Sequence, residues 1–134
     1  MTIVVGYIPT PEGRAALEAA RREAAKDKVR LVVVNSHKGG ASYRDEEAVR
    51  ADDELDIVRN TLESEGQKFE VRNLVRGNDP TDDLLDIAEE EKASLIVIGI
   101  RRRSAIGKLV MGSNAQRILL EADCPVLAVK APRS

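Results

Sequence analysis

Apolar residues gather in five short runs along the chain: Ile3–Ile8, Leu31–Asn35, Phe69–Val75, Leu95–Ile98 and Val126–Val129. Most are rich in valine and isoleucine and nearly unbroken. Strands covered on both faces of a parallel sheet read this way. The third run differs, because FEVRNLV alternates apolar with charged or polar positions. That alternation predicts an edge strand with one wet face.

Between the runs the period becomes helical, and four helices are predicted. The first follows Thr10-Pro11, with the threonine as N-cap and the proline at the first helical position. The second covers about Glu46 to Glu65; Ala48, Ala51, Leu55, Val58 and Leu62 recur in steps of three and four and define one buried face. The third follows Asp79-Pro80, which repeats the cap-then-proline signal, with Leu84, Leu85 and Ala88 as its buried face. The fourth opens at Gly112-Ser113-Asn114, carries Ala115, Ile118, Leu119 and Ala122, and is stopped by Asp123-Cys124-Pro125.

The order βαβαβαβαβ predicts an α/β fold: one domain over residues 1–134, an open five-stranded parallel sheet with right-handed crossovers, and helices on both faces. A strand order of 3-2-1-4-5 reverses between the first and fourth strands, and open α/β sheets bind ligands beyond the carboxyl ends of their strands at such a point. The loops converging there are Tyr7–Thr10 and Gly99–Ser113.

The second of those loops carries unusual chemistry. It begins at Gly99, contains Arg101, Arg102, Arg103 and Lys108, and ends at Gly112-Ser113-Asn114, where a helix opens. A glycine lets a ligand approach the backbone. The first N–H groups and the dipole of a helix favour an anion, and guanidinium groups grip phosphate oxygens bidentately. The constellation predicts phosphate binding. The plainer reading is that Ser113 caps its helix and the basic residues face water. The Gly-rich loop Ser36–Tyr43 (SHKGGASY) lies on the same side and reads as either a lid or a plain surface loop.

Composition narrows the partners. The chain has 134 residues, 33 % of them charged, and a formal net charge of −2. It lacks the basic excess of a general nucleic-acid binder, and three aromatic residues, Tyr7, Tyr43 and Phe69, supply no stacking platform for single strands. Cys124 is the single cysteine, so no internal disulfide forms. With no basic leader and no apolar run near the roughly 20 residues of a membrane span, the expectation is a cytoplasmic protein without a membrane partner.

With these motifs in place, the sequence resembles the universal stress protein family over nearly its whole length. The nucleotide-binding branch of that family carries G-x2-G-x9-G-[ST], and here Gly99, Arg102 and Gly112-Ser113 stand at that spacing. The ending ILLEADCPVLAVK is similar to the family's last helix and strand. The resemblance implies an adenine nucleotide alpha hydrolase-like, Rossmann-like fold. It implies a nucleotide site drawn from Gly6, Ile8, Ser36, Ile98, Gly99, Arg102, Gly112, Ser113 and Asn114. ATP or AMP would be the ligand, with magnesium carried in only by the nucleotide. It further implies a homodimer in which the last strand (Val126, Leu127, Ala128, Val129) pairs antiparallel with its copy, and a sensor or regulator role in the stress response.

Two positions depart from the family pattern. Arg102 replaces its second glycine, and Ile8 replaces its usual aspartate at the end of the first strand. Arg102 either obstructs a triphosphate or supplies a cation that favours a shorter nucleotide. Ile8 offers the base an apolar contact and no side-chain hydrogen bond. The alternative reading is a dimeric stress adaptor of the same family that binds no nucleotide.

The remaining candidates read as structural. His37 reads as a surface residue, and Cys124 as a buried, inert thiol. One cysteine and one histidine cannot supply a zinc set. Asp82, Asp83 and Asp86, like Asp52 and Asp53, read as helix acids. No nucleophile–base pair is identifiable and the P-loop lysine pattern is absent, so hydrolysis, if any, is expected to be slow.

Overall fold

The structure, a computed structural model, describes residues 1–37, 45–75, 79–101 and 112–132. The elements alternate as expected: β1 (Thr2–Gly6), α1 (Pro11–Asp27), β2 (Arg30–His37), α2 (Asp45–Ser64), β3 (Phe69–Val75), α3 (Pro80–Glu90), β4 (Leu95–Ile100), α4 (Ser113–Glu121) and β5 (Val126–Lys130). The strands lie in the order β3-β2-β1-β4-β5, and every neighbouring pair is parallel. β3, whose sequence alternates with charge, is an edge strand; β5 forms the other edge.

The two-residue period of the strands divides the core into two layers. On one face Ile3, Val5, Leu31, Val33 and Val97 pack with Ala16, Leu17 and Ala20 of α1 and Leu55, Val58 and Leu62 of α2. On the other, Val4, Val32, Val34, Ile96 and Ile98 pack with Leu84, Ile87 and Ala88 of α3 and Ile118 of α4. Burying each such aliphatic side chain stabilises the fold by about 1.5–3 kcal/mol relative to exposure.

The helix starts follow the predicted chemistry. Thr10 Oγ1 accepts from the backbone N–H of Gly13 at 3.1 Å, and Asp79 Oδ1 accepts from that of Thr81 at 2.8 Å, each with a proline at the head of its helix. α4 differs: its N-cap is Gly112, not Ser113, and among the described residues no side chain caps it.

Several expectations need correction. β1 ends at Gly6, two residues short of the apolar run, because the chain turns there: Thr10 N donates to the Ile8 carbonyl at 2.8 Å. β2 and β4 run longer than their apolar cores. In α3 the third core residue is Ile87, which is 1 % exposed, while Leu85 sits only half-buried, one helical step off the stripe. In α4 only Ile118 is buried; Ala115 and Ala122 are half-buried and Leu119 is exposed, because this nine-residue helix packs by a narrow stripe at the edge of its layer. Cys124 is half-buried rather than buried, and burial together with the neighbouring Asp123 pushes its thiol upward, away from the reactive thiolate. The side chains of Ala48, Ala51 and His37 lie outside the described residues.

Candidate functional site

The carboxyl ends of β1 and β4 part at the predicted switch point, and a cleft of about 180 Å³ opens there. Six of the nine predicted site residues line it: Gly6, Ile8, Ser36, Ile98, Gly99 and Asn114. Gly112 and Ser113 stand at the head of α4, one or two residues from Asn114 and outside the lining. Arg102 lies outside the described residues, as do Arg103, Lys108 and most of the 36–43 loop.

The walls are largely apolar. Val34, Leu84, Ile98 and Ile118 come from four elements of the α3/α4 layer. Ile8 is 44 % exposed at the rim, as suits a residue beyond the end of its strand. The head of α4 faces the cleft through Asn114 and Ala115. No described side chain caps that helix, and its positive dipole end lies at the cleft.

Gly99 also has a packing role that its sequence context does not reveal. A Cβ there would lie 2.3 Å from the backbone carbonyl oxygen of Glu12, so the missing side chain admits the first turn of α1. Gly112 is the open position, since a Cβ there meets no described atom within 4 Å.

Tyr7, from the loop expected at the switch point, lines the cleft, and sequence reasoning missed Glu12, Gly13, Pro80, Thr81 and Asp83. The first four of these line the cleft. Gly13 carried a legible signal: glycine inside a helix costs about 1 kcal/mol against alanine. Here a Cβ would fall 1.9 Å from the Ile8 carbonyl oxygen. Glu12 lines the cleft, and its carboxylate Oε1 lies 3.9 Å from Arg101 Nε. Asp83 is more than a first-turn acid. It is 1 % exposed, and Ser36 Oγ donates to its Oδ2 at 2.5 Å. The other helix acids behave as expected: Asp53 and Asp86 are exposed, and Asp52 Oδ1 accepts from Asn73 Nδ2 at 2.9 Å.

On the far side of Tyr7 a polar cluster ties β1 to α2. The phenol donates to Glu54 Oε1 at 2.9 Å, and Arg14 reaches the same carboxylate at 3.1 Å. A wider cleft of about 310 Å³ lies between α3 and α4 near the amino ends of β4 and β5. Its rim is closed by Arg117, which pairs with Asp82 and, at 2.7 Å, with Glu121. That cleft is remote from the switch point. Among the described residues no group of three or more histidine, cysteine or acidic side chains is arranged to hold a metal ion.

Comparison with known proteins agrees with this fold. The universal stress protein family profile matches residues 1–130. A universal stress protein of Mycolicibacterium smegmatis is 45 % identical over 128 residues, spanning 96 % of each chain. The solved structure of a universal stress protein from Archaeoglobus fulgidus superposes with a TM-score of 0.81 at 39 % identity, covering 97 % of this chain and 98 % of the other. A universal stress protein from the same organism, solved in complex with dAMP, superposes with a TM-score of 0.74 at 34 % identity and the same coverage.

Proposed function

The chain belongs to the universal stress protein family, and from that premise we propose that it binds an adenine nucleotide in the cleft between β1 and β4. The site comprises Gly6, Ile8, Ser36, Ile98, Gly99 and Asn114, with Gly112 and Ser113 beside them; Arg102 belongs to the same set by sequence and lies outside the described residues. The observation that carries the reading is the meeting of an apolar cleft with a helix head that no described side chain caps, at the switch point of the sheet. Apolar walls suit a base, and the head of α4 suits phosphate. The dAMP complex of the Archaeoglobus fulgidus relative supports the nucleotide class.

The role is that of a sensor or regulator in the stress response, with at most slow hydrolysis, in the cytoplasm. No helix among the described residues is long and apolar enough to cross a membrane. Magnesium enters only with the nucleotide. A homodimer through Val126, Leu127, Ala128 and Val129 is part of the same proposal: β5 is an edge strand with Leu127 38 % exposed, and an apolar edge needs cover.

Calorimetric titration with ATP and with AMP tests the binding, repeated on Gly112→Val. A Cβ at Gly112 meets no described atom within 4 Å, so lost binding in a variant shown to be folded would support phosphate at the head of α4. Absence of heat with either nucleotide in the wild type sinks the reading. It would leave the dimeric adaptor, which Ile8 favours by offering the base no side-chain hydrogen bond.

A further inference from the structure

Little apolar surface holds α4, the helix whose head the nucleotide reading gives to the phosphates. Of its nine residues only Ile118 is buried. Ala115 is half-buried beside it, and Leu119 and Leu120 are 40 % and 86 % exposed. An alanine adds little, since burial stabilises in proportion to apolar area. A helix this short is not stable without tertiary contacts.

A polar tie adds to that hold. Arg117 reaches from α4 to Asp82 of α3, and also binds Glu121 of its own helix at 2.7 Å. Arg117 is the fifth residue of α4, three after Asn114 and so one turn along the same face. Asp82 is the third residue of α3, next to Thr81. Asn114 and Thr81 both line the β1/β4 cleft. The pair therefore joins the opening turns of two helices that wall the cleft. Helix electrostatics do not explain a cation at this position. The dipole favours cations at the other end of a helix, and arginine four residues before glutamate is the weaker order. The bond to Asp82 supplies the reason.

We propose that the Arg117–Asp82 pair is a clamp that fixes the head of α4 at the cleft, which makes both residues positioning residues for the phosphate end of the nucleotide. The inference rests on the nucleotide reading above. Neither residue lines the β1/β4 cleft, so neither acts by touching the ligand. The clamp acts on a population. Apparent affinity falls in proportion to the fraction of protein whose site is in the competent arrangement. Without Asp82, α4 is held to its layer mainly by Ile118 and its half-buried alanine neighbour, and the fraction with its head in place drops. The two side chains are 38 % and 48 % exposed, so the effect is bounded by the modest strength of a partly exposed ion pair. A different role for Arg117, attraction of phosphate by its charge alone, makes the opposite prediction: freeing the guanidinium from Asp82 would tighten binding.

The test is calorimetric titration of AMP into the wild type, Asp82→Ala and Glu121→Ala, with amide hydrogen exchange of α4 followed in each. Both substitutions remove one carboxylate from Arg117, and only the first severs the link between helices. Asp82→Ala should weaken AMP by about three- to fivefold and speed exchange in the opening turns of α4. Glu121→Ala should leave the affinity within about twofold, because Arg117 keeps its bond to Asp82. Tighter or unchanged binding in Asp82→Ala overturns the clamp while nucleotide binding stands. So does an equal loss in the two variants, or a loss in Asp82→Ala with exchange in α4 unaltered. Failure of the wild type to bind AMP overturns the nucleotide reading and the clamp together.

Discussion

The phenol of Tyr7 donates a 2.9 Å hydrogen bond to Glu54, which ties the end of β1 to the middle of α2. Tyr7 is 3 % exposed, and its pKa is pushed up to about 12, first by burial and then by the bond and charge of Glu54. The native state therefore keeps the proton at a pH where the unfolded chain has lost it. Below about pH 10 both states are protonated and the stabilising contribution is complete. It falls as pH rises from about 10 to 12, where only the unfolded chain releases its proton. Tyr7→Phe should cost about 1.5 kcal/mol at neutral pH and flatten that alkaline loss in urea unfolding. An alkaline slope unchanged by the substitution would assign it to other groups.

Gly99 and Gly112 make opposite demands on a side chain. At Gly99 the clash is with the Glu12 backbone, which cannot yield without moving the first turn of α1. Gly99→Ala should destabilise by about 1–3 kcal/mol, the usual range for overpacking. Gly112→Ala has space among the described residues and ordinary helical-cap dihedrals, so it should stay within about 0.5 kcal/mol. Denaturant midpoints for the two variants give the comparison directly; equal midpoints would contradict the packing account of Gly99.

The α3 stripe separates core from periphery by one residue. Ile87 is 1 % exposed within the layer built on Val4, Val32 and Ile96. Ile87→Ala should cost about 2–5 kcal/mol. Leu85→Ala, at a half-buried position lining the wider cleft, should cost clearly less. Thermal unfolding of the pair checks it, and a larger loss at Leu85 would mean that the helix is rotated.

The same residues show what a sequence can carry. Strand order, helix order and two of the helix caps follow from local rules: runs of Val and Ile, Thr10-Pro11 and Asp79-Pro80. The switch point then follows from topology, and six of the nine predicted residues meet in its cleft. Leu85 and Ile87, two positions apart, are distinguished only by the rotation of α3 against the sheet, which the apolar positions 84, 85, 87 and 88 leave open. The reason for Gly99 lies in Glu12, 87 positions earlier in the chain. The Ser36–Asp83 pair is equally non-local: an aspartate in a helix first turn looks sufficient as a dipole partner, and only the fold brings a serine to it.

Glu12 bears on how many phosphates the cleft accepts. Glu12 lines the cleft with a side chain 13 % exposed, and Arg101, 3.9 Å from its carboxylate, is 74 % exposed and screens it weakly. A fixed negative charge repels each added phosphate, by roughly 0.5–1 kcal/mol at the separations of a small site in a dielectric between protein and water. Glu12→Gln should therefore raise affinity for ATP several-fold more than for AMP, and the gain should shrink when magnesium neutralises the triphosphate. The substitution also removes an acid from the first turn of α1, costing about 0.3–1 kcal/mol of stability. That cost is independent of ligand, so the ratio of ATP to AMP affinity isolates the electrostatic effect. A ratio unmoved by Glu12→Gln would place the phosphates away from α1, toward α4 alone.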